Sequence, residues 1–295
     1  MADAQGRSNW AGILTFGGLL LLCFGFLFAL FSSADLGESG WHAPSGSPHI
    51  GIVEVDGVIT DSKDEVARLH ELRKDPNVKA IVVRLNTPGG AVAPSQEIFQ
   101  AVVRARKSKK VICSMGTVAA SGGYYIASAC DRILASPGTI TGSIGVISQT
   151  PHVQGLLELM RVEMETVKSG ALKDMESPFR AVTPDERKFV QGFVDGIYDQ
   201  FLSDVAQMRK IDKEKLRPIA DGRILSGKEA LAANLVDELG NFEDALDAAV
   251  KLAGLTGEPV PDFPHKKGTW LSEMVRSTSE SLAPRRTIEM RDPRL

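Results

Sequence analysis

The chain has 295 residues, 43% of them hydrophobic, which is enough for one large or two small domains with a sizeable core. A formal net charge of −3 and the lack of a basic stripe argue against nucleic acid as the main partner, and the one Lys/Arg-rich run, 104–110, reads as the solvated end of a helix. The three cysteines, Cys23, Cys113 and Cys130, make neither a zinc spacing nor a disulfide framework and are read as inert thiols; no metal or organic cofactor site is expected.

Residues 1–9 form a short polar N-terminus containing Arg7. Residues 10–31 follow as 22 residues without a charge, long enough at 1.5 Å per residue to span a hydrocarbon core of roughly 30 Å. This segment is expected to be an uncleaved transmembrane anchor in contact with the lipid bilayer. A cleaved signal peptide is the competing reading, with Ser32-Ser33-Ala34 as its small-residue site, but the apolar run is longer than a usual signal core. Arg7 precedes the span and no Lys or Arg follows it until Lys63, so the N-terminus is expected in the cytoplasm and the body of the protein outside it.

A Ser/Gly/Pro-rich linker covers 32–48, and a folded domain is expected over 49–256. Its first half alternates strand-like runs (49–55, 79–85, 110–114, 132–135) with helix-like stretches (62–73, 95–106, 121–129), which predicts an α/β fold with a largely parallel sheet. Runs 144–148 and 163–167 could add short strands. Thr183-Pro184-Asp185-Glu186 is a helix start. Val190, Phe193, Val194, Ile197, Phe201, Val205 and Met208 then recur at helical spacing, predicting a long amphipathic helix with one buried stripe. A last helix is expected over 242–252. Residues 257–295, rich in Pro, Lys, Arg and Ser, are expected to be a poorly ordered tail.

Four stretches could carry chemistry. In Gly116–Ala129, Ser121 should lie on a strand-to-helix turn, where unpaired helix N–H groups favour developing negative charge. The bland alternative is a small-residue segment that lets a helix approach the sheet. Pro88-Gly89-Gly90 ends an apolar strand and can expose backbone N–H groups as an oxyanion hole needs, although a Gly-Gly turn is usually an ordinary loop. Thr141-Gly142-Ser143-Ile144-Gly145 is another tight turn, and Lys173 sits in a small-residue loop. Neither G-x-S-x-G nor S-x-x-K occurs. Of five histidines only His152 could serve Ser121 as a base; a neutral lysine is the other option.

Taken together and in order, A-A-S-G-G-Y-Y-I-A, T-G-S-I-G-V, S-G-A-L-K-D-M-E-S-P-F-R and G-R-I-L-S-G-K-E-A-L-A-A-N-L-V-D-E-L-G resemble the signal peptide peptidase A family (peptidase family S49, short single-domain form) over about 49–250. The resemblance implies the Clp-protease/crotonase fold of repeated ββα units. It implies Ser121 as nucleophile and Lys173 as general base, with Lys168 as runner-up. Ser143 would orient Lys173, and the N–H groups of Gly122 and of Gly90 (or Gly89) would form the oxyanion hole. It further implies a homo-oligomer, a ring-like octamer whose neighbours share each site. The enzyme would be held in the bacterial inner membrane with its catalytic domain outside the cytoplasm, and would act on residual signal peptides or other membrane-protein fragments. Two other classes compete: a non-catalytic membrane scaffold on the same fold, and a crotonase-type acyl-CoA enzyme, against which the serine and lysine set argues.

Overall fold

The computed structural model describes residues 47–258 and 260–264. The anchor expected at 10–31 and the tail from 265 onward lie outside the described residues. Among the described residues no helix is long and apolar enough to cross a membrane.

The first half winds as its hydrophobic pattern predicts. Strand β1 (His49–Asp56) leads through helix α1 (Lys63–Lys74) to β2 (Val78–Thr87), then through α2 (Val92–Ala105) to β3 (Lys110–Ala120) and through α3 (Gly122–Ser128) to β4 (Arg132–Ala135). Each strand–helix–strand crossover gives parallel pairing: β1 with β2, β2 with β3 and β3 with β4. β2 is the clearest case of a strand covered on both faces, with Ala80, Ile81, Val82 and Val83 all fully buried.

The strand that leads to Ser121, β3, runs six residues past the expected 110–114 and serves two partners. Its first part, Ile112 to Met115, pairs with β4; its last part, Val118 to Ala120, pairs with β5 (Ile140–Gly142). The fork coincides with a shift in register against β2, which jumps from Leu85↔Met115 to Thr87↔Ala119. β5 in turn pairs antiparallel with β6 (Ile224–Ser226). Two further strands complete the eight-stranded sheet: β7 (Glu238–Leu239) beside β4 and β8 (Pro261–Asp262) beside β1. The fold thus extends past the expected boundary at 256. Runs 144–148 and 163–167 are not strands; the short strand lies just before the first, and 163–167 is exposed irregular chain.

The remaining helices are α4 (Gln154–Leu159), α5 (Pro184–Arg209), α6 (Lys213–Leu216), α7 (Gly227–Ala232) and α8 (Phe242–Ala253). The larger core lies on one face of the sheet, between it and α1, α2, α3 and the second half of α5. On the other face Ile50, Ile52, Ala80, Val82 and Ile112 pack against Ala245, Leu246 and Ala249 of α8, giving three layers. The caps follow the sequence: Thr183 and Asn241 each form a capping box at the starts of α5 and α8, and Gly254 ends α8 in a left-handed conformation.

Two expectations need correction. Among the described residues the apolar stripe of α5 is buried only in its second half: Phe201 and Val205 are in the core, whereas Phe193 is 64% exposed, because no described layer packs against the first half of the helix. Cys113 and Cys130 form a disulfide rather than two separate thiols. The β3–α3 crossover brings their Cα atoms to 5.9 Å, a proximity that spacing in sequence does not reveal.

Candidate active site

The site begins with the end of β3. Pairing of Ala120 with Gly142 is followed by a hydrogen bond from the Ser121 N–H to the Gly142 carbonyl at 2.9 Å, which fixes where the chain leaves the sheet. Ser121 then takes φ 52° and ψ −119° and becomes the N-cap of α3. A non-glycine residue held there costs about 1–3 kcal/mol of backbone strain, maintained by the fully buried helix that follows. The side chain does not cap the helix. Its hydroxyl, half-buried, is left for another task.

The β2–α2 turn lies against this corner. A Cβ on Gly90 would sit 2.1 Å from the Ile59 carbonyl oxygen, so only glycine fits the close backbone approach at this position. A parallel bridge holds it there: the Ile59 N–H donates to Gly89 O at 3.0 Å, and the Ala91 N–H donates to Ile59 O at 2.7 Å. The two candidate donors now differ. The Gly89 N–H donates to Thr87 Oγ1 at 3.1 Å, whereas the Gly90 N–H has no hydrogen-bond partner among the described residues. The Gly122 N–H, in the first turn of α3, likewise has none.

Gly90, Ser121 and Gly122 share the lining of one cavity of about 110 Å³. Its walls are Val92, Ser95 and Gln96 of α2, Tyr125 of α3, Gly145, Val146 and Ile147, and Ile197 and Phe201 of α5. That is room for one small or medium apolar side chain beside a hydroxyl and two free N–H groups. Tyr125 holds one wall. Its ring stacks on Phe99 at 4.4 Å and meets Phe201 edge-on at 4.8 Å, and its hydroxyl donates to Asp204 of α5. Burial first, and then the Asp204 carboxylate, push the phenol pKa well above its usual value, so it stays neutral.

Ser143 follows β5 as Ser121 follows β3, one residue beyond the last pair of adjacent strands. It is half-buried, has φ 51°, and its N–H donates to Arg223 O at 2.7 Å. Lys173 is elsewhere: it sits in an exposed loop, does not line the cavity, and its ammonium has no partner among the described residues. Lys168 is engaged, its Nζ 2.5 Å from Asp174 Oδ1 and 3.0 Å from Ala171 O. His152 is exposed and also absent from the cavity lining. No group of three or more His, Cys, Asp or Glu among the described residues could hold a metal ion. The feature that sequence reading missed is the Tyr125–Asp204 contact, which joins residues 79 apart in the chain and has no local signal.

The profile described as Peptidase family S49 matches residues 104–256, a stretch that contains Ser121, Ser143 and Lys173. The chain belongs to peptidase family S49. It is a serine protease. A profile described as Clp protease also matches residues 52–138, the β1–β4 half, and the parallel-rich α/β sheet is consistent with the Clp-protease/crotonase-like fold. Among S49 relatives, a Synechocystis protein named as a protease is 41% identical over 209 residues, covering 70% of this chain and 76% of its own length. A protein of Enterococcus faecium bearing the name signal peptide peptidase SppA is 34% identical over 263 residues, covering 83% of this chain and 76% of its own. Protease 4 of Salmonella typhi is 37% identical over 216 residues, which is 70% of this chain but 35% of that longer protein.

Proposed function

We propose that this S49 protease is a membrane-anchored endopeptidase with a Ser121/Lys173 dyad that degrades signal peptides left after preprotein cleavage and related membrane-protein fragments. One observation carries the reading: a strained, half-buried Ser121 at a strand end opens onto a small apolar cavity beside two backbone N–H groups without partners. Lys173 takes the Ser121 proton as Oγ attacks the scissile carbonyl. The N–H groups of Gly90 and Gly122 receive the negative charge that develops on the carbonyl oxygen. Lys173 then returns the proton to the leaving amine, and water, deprotonated in the same way, releases the acyl group from Ser121. Ser143, beside Ser121 across the β3–β5 pair, orients the amine. Engagement of Gly89 with Thr87 favours Gly90 as the second donor, and engagement of Lys168 with Asp174 favours Lys173 as the base.

Residues 10–31 would hold the domain at the bacterial inner membrane, N-terminus in the cytoplasm and catalytic domain outside it. The substrate class is supported by the name of the Enterococcus faecium relative. The assembled form would be a ring-like homo-oligomer, an octamer, in which Lys173 of one subunit serves Ser121 of its neighbour. Supporting this, Lys173 does not line the cavity of its own chain and no residue from Gly145 to Asp185 is buried.

The deciding experiment is fluorophosphonate labelling of the detergent-purified protein, with the modified residue located by mass spectrometry, for wild type and Lys173→Ala. Labelling at Ser121 that is lost in Lys173→Ala is the expected result. Labelling that survives the substitution rejects Lys173 as the base, and an unlabelled, intact oligomer rejects the dyad.

A further inference from the structure

The loop that carries Lys173 makes little apolar contact, yet one side chain in it has every donor used. Arg180 has five N–H bonds, the full capacity of a guanidinium, and each finds an acceptor. Nε donates to Asp174 Oδ2 at 2.7 Å and Nη2 to the Asp174 carbonyl at 3.0 Å. Nη1 donates to Glu186 Oε2 at 2.9 Å and to Ala181 O at 3.1 Å, and the last Nη2 hydrogen goes to Glu186 Oε1. The two carboxylates differ in what they anchor. Asp174 is the residue directly after Lys173. Glu186, 3% exposed, is fixed in the first turn of α5 by the capping box, where the Thr183 N–H donates to its Oε2 at 2.9 Å.

We propose that Arg180 is the positioning residue of the catalytic base: it ties the backbone and side chain of Asp174 to the rigid start of α5 and so fixes where Lys173 emerges. The inference rests on Lys173 being the base. The geometry explains a division of labour between the two lysines. Asp174 Oδ1 holds the Lys168 ammonium at 2.5 Å while Oδ2 receives Arg180, so Asp174 is tied to two other cations while the Lys173 ammonium has no partner among the described residues. Lysine could not replace arginine here. A single ammonium offers three donors from one point and cannot reach two carboxylates and two carbonyls in a fixed fork.

The test uses the full-length detergent-solubilised protein and follows kcat and KM for a peptide substrate, Ser121 labelling, melting temperature and oligomer size. Arg180→Ala is expected to lower kcat and the labelling rate by about 100-fold, the cost of a misplaced reacting group, with KM within about twofold. Free guanidinium should recover part of that loss, and Arg180→Lys should recover less than a tenth of wild-type kcat. Asp174→Asn, which keeps the side-chain shape, provides the control should Arg180→Ala fold poorly. Its loss in kcat should not add to that of Arg180→Ala in the double variant. Wild-type kcat in Arg180→Ala while Lys173→Ala is inactive would overturn the proposal and leave the dyad standing. So would a kcat loss that only tracks a fall in melting temperature or oligomer size, or additive losses in the double variant. Unimpaired labelling in Lys173→Ala would remove the dyad and this inference together.

Discussion

The two halves of the proposed dyad lie in regions of opposite physical character. From β1 to Ile144 the chain is organised by burial: β2 and β3 are covered on both faces, α3 is wholly buried, and Ser121 is held in a conformation it would not adopt alone. From Gly145 to Asp185 not one residue is buried, although Ile147, Leu159 and Val167 are 81%, 84% and 92% exposed. Burying such side chains fully is worth about 1.5–3 kcal/mol each. The surroundings of Ser121 are therefore stabilised by burial, while the segment carrying Lys173 has its ion pairs in place and its apolar side chains exposed among the described residues.

The largest effect that tests this contrast is loss of the nucleophile. Ser121→Ala should lower peptide hydrolysis by roughly 10⁴-fold or more and abolish fluorophosphonate labelling, measured on protein of unchanged oligomer size. Hydrolysis at the wild-type rate would break the comparison at its root. Alanine at two glycines should separate the regions next. Gly90→Ala forces a Cβ to 2.1 Å from Ile59 O, so both kcat, by about 10²–10³-fold, and the melting temperature should fall. Gly155→Ala, on exposed α4 with open space around it, should leave activity intact and raise stability by about 0.4–1 kcal/mol.

Dilution gives the third test. If a second copy covers 145–185, specific activity should fall several-fold as the oligomer dissociates and return on concentration, and a charge at exposed Phe193 should shift that transition to higher protein concentration. Activity strictly proportional to protein down to the monomer would place the whole site in one chain.

Acid should loosen the base's segment before the core. Arg180, and then the Thr183 N–H, hold the Glu186 carboxyl down to about 2 from its ordinary 4.5. Because the folded value is the lower one, the contribution of this carboxylate is present above 4.5 and is lost as pH falls towards 2. Hydrogen exchange, corrected for its intrinsic pH dependence, should rise in 168–186 over that range while β2 stays protected. The smallest effect is expected at His152, exposed and away from the cavity: His152→Ala should change the rate by less than about twofold, where loss of a true general base costs 10²–10⁴.

Much of the nucleophile half was legible in the sequence because its signals are local. Alternating apolar runs set β1, α1, β2 and α2, and Pro88-Gly89-Gly90 marked a turn with exposed backbone N–H groups; outside that half, Thr183-Pro184 set the start of α5. What escaped was non-local. The expected strand stopped at 114, yet Gly116-Thr117-Val118 belongs to β3 and is the joint at which it changes partners from β4 to β5. The Cys113–Cys130 disulfide and the Tyr125–Asp204 contact depend on how helices cross the sheet, not on spacing. The stripe of α5 carries the right period along its whole length, but periodicity marks an apolar face without saying what will lie against it, and among the described residues it is the half around Phe201 and Val205 that is covered.

The fork in β3 also sets a schedule. Ser121 follows a strand whose last residues pair with β5 on one side and, through Ala119, with Thr87 of β2 on the other, and β5 gains its outer neighbour only when Ile224–Ser226 arrives, more than eighty residues later in the chain; the Ser143 N–H is seated by Arg223 from the same late stretch. A polypeptide emerging N-terminus first, at ~5–20 residues per second, carries Ser121 for several seconds before the residues that complete the surrounding sheet exist. Order of appearance thus places completion of the sheet around Ser121 late in synthesis, after most of the chain has emerged.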